Sequence, residues 1–249
     1  MNGKKMIMFL CWLSLQQLAT AQDAAAIVQA ADAKMRGNSM EVQLTIKTIR
    51  PTWSRSMDVK AWSKGKDLSM ILIQSPARDK GIVFLKRNKE VWNWMPVLER
   101  IIKLPPSMMS QSWMGTDFTN DDLVRESSVV HDYQHRIVGD TIVAGRTCYI
   151  IEMIPKPQAA VVWSKLLVCI DKKDLMELHS RFYDEDGLLV NTMQAYDVQL
   201  MDGRLIPTRF IMLPAGKPGQ RTEMIYRSIR YNLPLEDNFF TVNQMKKIN

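Results

Sequence analysis

The stretch "MEVQLTIKTI" at 40–49 sets the first constraint on this chain. Val42, Leu44 and Ile46 alternate with Glu41, Gln43, Thr45 and Lys47, the period-two pattern of a strand that is dry on one face and wet on the other. Further strands are predicted in quick succession at about 56–63, 67–74, 81–86, 90–95 and 98–103. A second series falls at about 136–143, 147–154, 162–170, 175–183, 188–200, 204–213 and 221–231. Turn residues separate them: Asn88-Lys89, Gly145, "DEDG" at 184–187, "DG" at 202–203 and "PAGKPG" at 214–219, while Pro76 and Pro96 close strands where a missing N–H is tolerated. Connections this short require antiparallel neighbours, because a parallel pair needs a long crossover.

Two segments break the pattern. "DAAAIVQAADAKMRG" carries Ala, Ile, Val and Met at helical spacing and stops at Gly37, which predicts one amphipathic helix. In mid-chain, "SMMSQSWMGTDFTNDDL" at 107–123 follows Pro105-Pro106, a pair that suits a helix start, and Met109 and Trp113 stand one turn apart. Thr119, three residues before Asp122, forms a capping arrangement for a second short helix ending near Arg125.

A long antiparallel sheet must bury its apolar face, and so few helices cannot cover it flat. The expected fold is therefore mainly β (α+β): a curled antiparallel sheet forming an incomplete β-barrel, with an N-terminal helix and a short helical lid at about 105–125. Trp92 and Trp94 lie two apart and share a face; with Val59, Met70, Leu72 and Phe84 they are the candidate lining. Such a lining is either a packed core or a cavity for an apolar ligand. The 18 methionines favour an interior that adapts to its contents, and Met108, Met109, Trp113 and Met114 are the candidate movable lid.

Composition fits a folded chain, with 46% apolar and 24% charged residues. Lys4 and Lys5, the apolar run "MIMFLCWLSLQQL" and Ala19-Thr20-Ala21 read as a secretory leader, 1–21, leaving a single domain over 22–249. That apolar run is too short and too interrupted to span a membrane. Losing the leader's two lysines lowers the formal charge of +7 to about +5. Its basic residues are scattered, which speaks against nucleic acid and is compatible with transient contact with an anionic membrane surface. Cys148 and Cys169 remain in the mature chain. Pairing 147–154 with 162–170 about a centre between 158 and 159 sets them opposite each other, within disulfide reach; two buried free thiols are the alternative.

Catalytic patterns are missing. No G-x-S-x-G, phosphate loop or dinucleotide fingerprint occurs. His131 and His135 lack the glutamate and the helix of a zinc motif, and Asp117, Asp121 and Asp122 lack the alternation of a calcium loop. Glu152, Asp171 and Glu177 sit on different strands without an evident partner. We expect no enzyme, no metal and no cofactor.

The segments "KGIVFLKRNKEVWNWMP" at 80–96, "SMMSQSWMGTDFTNDDL" and the closing "LEDNFFTVNQM" resemble LolA-type periplasmic lipoprotein carriers, in particular the LolA-like outer-membrane lipoprotein-sorting group. The resemblance implies a lidded half-barrel that shields acyl chains of lipoproteins or other lipids. It also implies a monomer in the periplasm that takes cargo from an inner-membrane release complex and hands it to an outer-membrane acceptor. One departure stands out: where the family has an arginine that holds the lid, near "WSKGKDLSMIL", this chain has Lys64 and Lys66. The related RseB type implies a different role, a sensor that binds lipoproteins and a membrane partner. Such regulators carry a second C-terminal domain, whereas this chain stops at Asn249 after its last strand, which favours a carrier. An envelope-assembly module with a solid interior is a third reading.

Overall fold

A computed structural model describes residues 24–125 and 129–248; the expected leader lies outside them. Thirteen strands are present among the described residues: β1 (Ser39–Ile49), β2 (Ser54–Lys64), β3 (Leu68–Ser75), β4 (Val83–Arg87), β5 (Glu90–Met95), β6 (Arg100–Lys103), β7 (Tyr133–Val143), β8 (Arg146–Pro155), β9 (Lys165–Asp171), β10 (Glu177–Tyr183), β11 (Leu189–Met201), β12 (Arg204–Pro214) and β13 (Arg221–Tyr231). They form one sheet in the order β6-β5-β4-β3-β2-β1-β13-β12-β11-β10-β9-β8-β7, with every pair antiparallel.

That order is a single meander read cyclically. Pairing of β1 with β13 joins its two halves, and its one interruption falls between β6 and β7, the two edges of the sheet. The predicted curled, unclosed sheet is what forms. Register shifts at Gln43/Leu44, Asp58/Val59, Ile137/Gly139, Glu177/His179 and Phe182/Tyr183 supply bends, because a bulge tightens the local twist of a strand.

Cross-strand rows define an inner face. Ile73, Val59, Leu44 and Tyr226 stand opposite one another across β3, β2, β1 and β13, and Ile71, Ala61, Val42 and Ile229 form the next row. The helix α1, residues 24–36, covers the inner face of the β8–β9 half, burying Ala24, Val28 and Ala31 against Ile151, Met153, Leu166, Val168 and Ile170. Gly37 ends it with φ +63° and an N–H bonded to the Ala33 carbonyl at 2.9 Å. Only glycine fits there: a Cβ would stand 2.9 Å from the Tyr231 ring.

The outer face of the β2–β5 half is covered as well. Met70, Leu72, Val83 and Leu85 pack with Phe240 and Met245 from the segment that follows β13. That segment holds the short helix α2 (Val242–Met245), whose first turn is capped by Thr241 Oγ1 accepting from Gln244 N.

The β8–β9 register places Cys148 opposite Asp171 and Cys169 opposite Ile150. The expected direct pairing is therefore wrong by two residues, because β9 starts at Lys165 rather than at 162. The cysteines are diagonal neighbours, at a spacing of about 7–8 Å that a disulfide does not bridge, and both are buried free thiols.

Candidate functional site

Between the inner face, α1 and the segment joining β6 to β7 lies a cavity of about 310 Å³. Val42, Leu44, Ile46, Val59, Ala61 and Ile71 line it from β1–β3, and Met193, Met212, Met224 and Tyr226 continue the lining along β11–β13, with Met224 and Tyr226 beside Ile46 and Leu44. Asp32 and Arg36 enter from α1, and Trp113, Phe118 and residues 121–123 close the mouth. Branched aliphatics make the β1–β3 part of the lining stiff, and unbranched methionines make the β11–β13 part deformable.

The mouth segment runs from one edge strand to the other, so it takes the place of the strand pairing that would close a barrel. It is less helical than expected. Single 3-10 turns occupy Pro106–Met108 and Trp113–Gly115, and a π-type turn occupies Asp121–Arg125. Met114, with φ 51° and ψ 27°, breaks any continuous helix ahead of Gly115. Polar contacts hold the shape instead. Thr116 Oγ1 donates to the Trp113 carbonyl at 2.7 Å, Asn120 Nδ2 to the Met108 carbonyl at 2.8 Å, and Trp113 N to the Phe118 carbonyl at 2.8 Å. The capping pair at the last turn is reciprocal: Asp122 N donates to Thr119 Oγ1 at 3.1 Å and Thr119 N to Asp122 Oδ2 at 2.8 Å.

Met109 and Trp113 are the buried side chains of this segment, with the Trp113 ring 5.6 Å from that of Phe84; Met108 and Met114 are half-buried. The candidate lining divides between two faces. Val59 and Phe84 lie on the inner face, Val59 in the cavity wall and Phe84 beneath Trp113. Met70, Leu72, Trp92 and Trp94 lie on the outer face, in the rows Met70–Leu85–Trp92 and Leu72–Val83–Trp94 under the C-terminal segment. This corrects the sequence assignment, and the reason is physical. With both faces of β3 and β4 covered, apolar residues fill every position from 70 to 73 and from 83 to 85, and alternation no longer separates inside from outside.

The contacts that hold the mouth segment also differ from expectation. Lys64 pairs with Asp237 at 2.7 Å, on the outer side. Arginines reach the mouth from the β1–β2 corner. Arg50 donates two bonds of 3.0 Å to the Asp117 carboxylate and a third of 3.3 Å to the Gly115 carbonyl, and Arg55 donates to the Met114 carbonyl. Thr222 Oγ1 on β13 donates to Asp117 Oδ2 at 2.7 Å and accepts from Asp117 N at 2.9 Å. Trp163 Nε1 donates to Asp122 Oδ1 at 2.9 Å, yet burial still pushes the Asp122 carboxyl above the usual carboxylate range.

The histidines stand on no helix, since β7 begins at Tyr133, and His135 Nε2 contacts the Val129 carbonyl at 2.6 Å. Among the described residues no group of three His, Cys, Asp or Glu is placed to hold a metal. Glu152 pairs with Arg136 at 2.7 Å and Asp171 with Arg146 at 3.2 Å.

A curled, unclosed antiparallel sheet with a helix and an edge-to-edge cover over an apolar cavity defines a class of lidded half-barrels, and solved structures share the fold. A DUF1329 family protein from Desulfovibrio piger superposes with a TM-score of 0.81 at 21% identity, over 91% of this chain and 99% of that one. A putative outer membrane lipoprotein-sorting protein domain from Vibrio parahaemolyticus gives 0.81 at 22% identity, over 91% and 99%. A LolA superfamily protein from Nitrosomonas europaea gives 0.77 at 25% identity, over 90% and 98%. No curated protein sequence matches the chain. Residues 65–247 match a family model described as "-like: Uncharacterized protein"; the chain belongs to that family, and its fold is LolA-like.

Proposed function

We propose that this protein is a periplasmic lipid carrier, without catalytic activity, that shields the acyl chains of lipoproteins or related lipids on the way to the outer membrane. The observation that carries the reading is the cavity itself: apolar walls under a cover that is hung between two sheet edges and fastened by polar contacts at its rim. Burying a chain of about sixteen carbons stabilises it by on the order of 12 kcal/mol, at about 0.8 kcal/mol per methylene. A carrier must still release it, and a cover held by a few hydrogen bonds is a removable part. At about 310 Å³ the cavity lies at the lower end of ligand sites, about 300–1,000 Å³. Uptake of a whole lipid therefore involves displacement of the cover. An inner-membrane release complex and an outer-membrane acceptor are the partners this role requires.

Native mass spectrometry of residues 22–249, gently extracted or mixed with a lipopeptide, tests the proposal beside an Ala61→Trp variant that fills the cavity. Bound lipid on the parent and none on the variant, with both folded by circular dichroism, is the expected result. A parent that is empty and refuses added lipopeptide would sink the carrier reading and make the interior a packed core.

A further inference from the structure

Burial of acyl chains alone does not account for the polar side of this cavity. Its described lining holds four carboxyl side chains, Asp32, Asp121, Asp122 and Glu177, against one guanidinium, that of Arg36. Asp32 pairs with Arg36 at 3.2 Å, Asp122 is bonded to Thr119 and Trp163, and Asp121 has interactions of its own. Glu177 differs: it accepts from the Ser180 hydroxyl, has no basic partner among the described residues, and has the Asp32 charge near it. Burial pushes its carboxyl up, Ser180 offsets part of that, and Asp32 adds to it.

The backbone makes a special arrangement to bring Glu177 inside. On a regular strand it would share the outer face with His179. The register of β10 against β9 shifts between these two residues, which sets Glu177 opposite Ile170 on the inner face. A one-residue shift exchanges the faces of a strand, and bulges recur where a side chain is re-aimed at a site. Two more polar groups of the lining have no hydrogen-bond partner among the described residues, the Ser63 hydroxyl and the Trp113 indole N–H, on residues 4% and 1% exposed. Buried groups of this kind are normally satisfied, so each calls for an acceptor or donor that arrives with a ligand.

Resting on the carrier reading, we propose that the cavity recognises the ammonium group of an acylated lipid, with Glu177 and Asp32 as counter-charges and Trp113 and Ser63 bonding its ester or amide oxygens. The cargo class is then a lipid that carries a free amine and no excess of negative charge. An anionic head would add to the carboxylates already present. Two sources supply such an amine, the N-terminus of a diacylated lipopeptide and an aminophospholipid.

Displacement of a neutral apolar fluorophore, N-phenyl-naphthylamine, separates the outcomes. The competitors are a diacylated lipopeptide with a free α-amine, the same lipopeptide N-acetylated, phosphatidylethanolamine and phosphatidylglycerol. The amine form should displace the probe at about tenfold lower concentration than the acetylated form, as a charge-assisted hydrogen bond demands, and Glu177→Gln should bring the two within about twofold while both still bind. Phosphatidylethanolamine outcompeting both phosphatidylglycerol and the lipopeptide amine would support the ammonium site and assign its source to the phospholipid. Equal displacement by the two lipopeptides on the parent overturns the ammonium site and leaves the carrier reading standing; displacement by none of the four overturns the carrier reading. A Glu177→Gln protein that keeps the full preference overturns the role of Glu177, and the ligand pair on the parent decides the question even where the variant folds poorly.

Discussion

Glu177 shows how much one residue can reveal. A carboxylate turned inward without a counter-ion is a liability for folding, and its sign with pH can be stated. The folded state holds its proton more tightly than the unfolded chain, whose carboxyl titrates near the ordinary 4.5. The contribution of Glu177 to stability is therefore most favourable below that value and is lost as pH rises through the raised, folded-state value. Glu177→Gln keeps an acceptor for Ser180 and removes the charge. We expect its melting temperature to exceed the parent's at pH 7 and the difference to shrink as the pH falls towards the ordinary carboxylate range. A thermal melt series from pH 3 to 8 checks this; equal melting temperatures throughout would mean that the interior carries no penalty for the charge. Glu177 stands in the sequence as a carboxylate without an evident partner, but the bulge that directs it inward leaves no trace in a period-two pattern. Val42, Leu44 and Ile46 were legible as an inner face because their neighbours are polar. Met70 and Leu72 were not, since every residue around them is apolar.

At the scale of elements, the mouth segment is legible as an exception and not as a structure. Its methionines, its tryptophan and its Thr119–Asp122 cap can be read from the local sequence. The pairing of Arg50 with Asp117 cannot, because the partners are 67 residues apart and neither flanking pattern points to the other. Both side chains are largely buried and the contact is bidentate, the geometry in which an arginine contributes most. Asp117→Ala removes the Arg50 fork and the Thr222 bond together. We expect a loss of about 1.5–3 kcal/mol, the range for hydrogen bonds to charged groups. Amide exchange should accelerate over 106–123 while β1 and β13 keep their protection. Loosening of the sheet with an unchanged mouth segment would show that Asp117 supports the wall and not the cover. Apolar probes should enter the variant faster, since the cover opens more often.

The whole molecule is a sheet with two dry faces in one half, and the two do different work. The inner face of β1–β3 borders the cavity. The outer face of β2–β5 is closed by the C-terminal segment, where Phe240 is fully buried against Met70, Leu72, Val83 and Leu85, and Arg87 donates to the Phe240 carbonyl at 2.9 Å. An open sheet must cover such a surface, because exposed apolar strands near an edge invite pairing with other chains. The antiparallel meander and its curl follow from the strand spacing, but the second covered face does not, since a short aromatic tail is equally compatible with a lid. Substitution separates the two faces. Phe240→Ala should destabilise the protein by about 3–5 kcal/mol, the range for large-to-small changes at buried aromatics, without altering lipid occupancy per folded molecule. Ala61→Trp should do the reverse, emptying the cavity for at most about 1–3 kcal/mol of overpacking. Chemical denaturation and native mass spectrometry on the same two samples read both quantities. If Phe240→Ala lost its lipid while remaining folded, the two faces would be coupled through β2–β4, and the tail would have to be counted as part of the binding site.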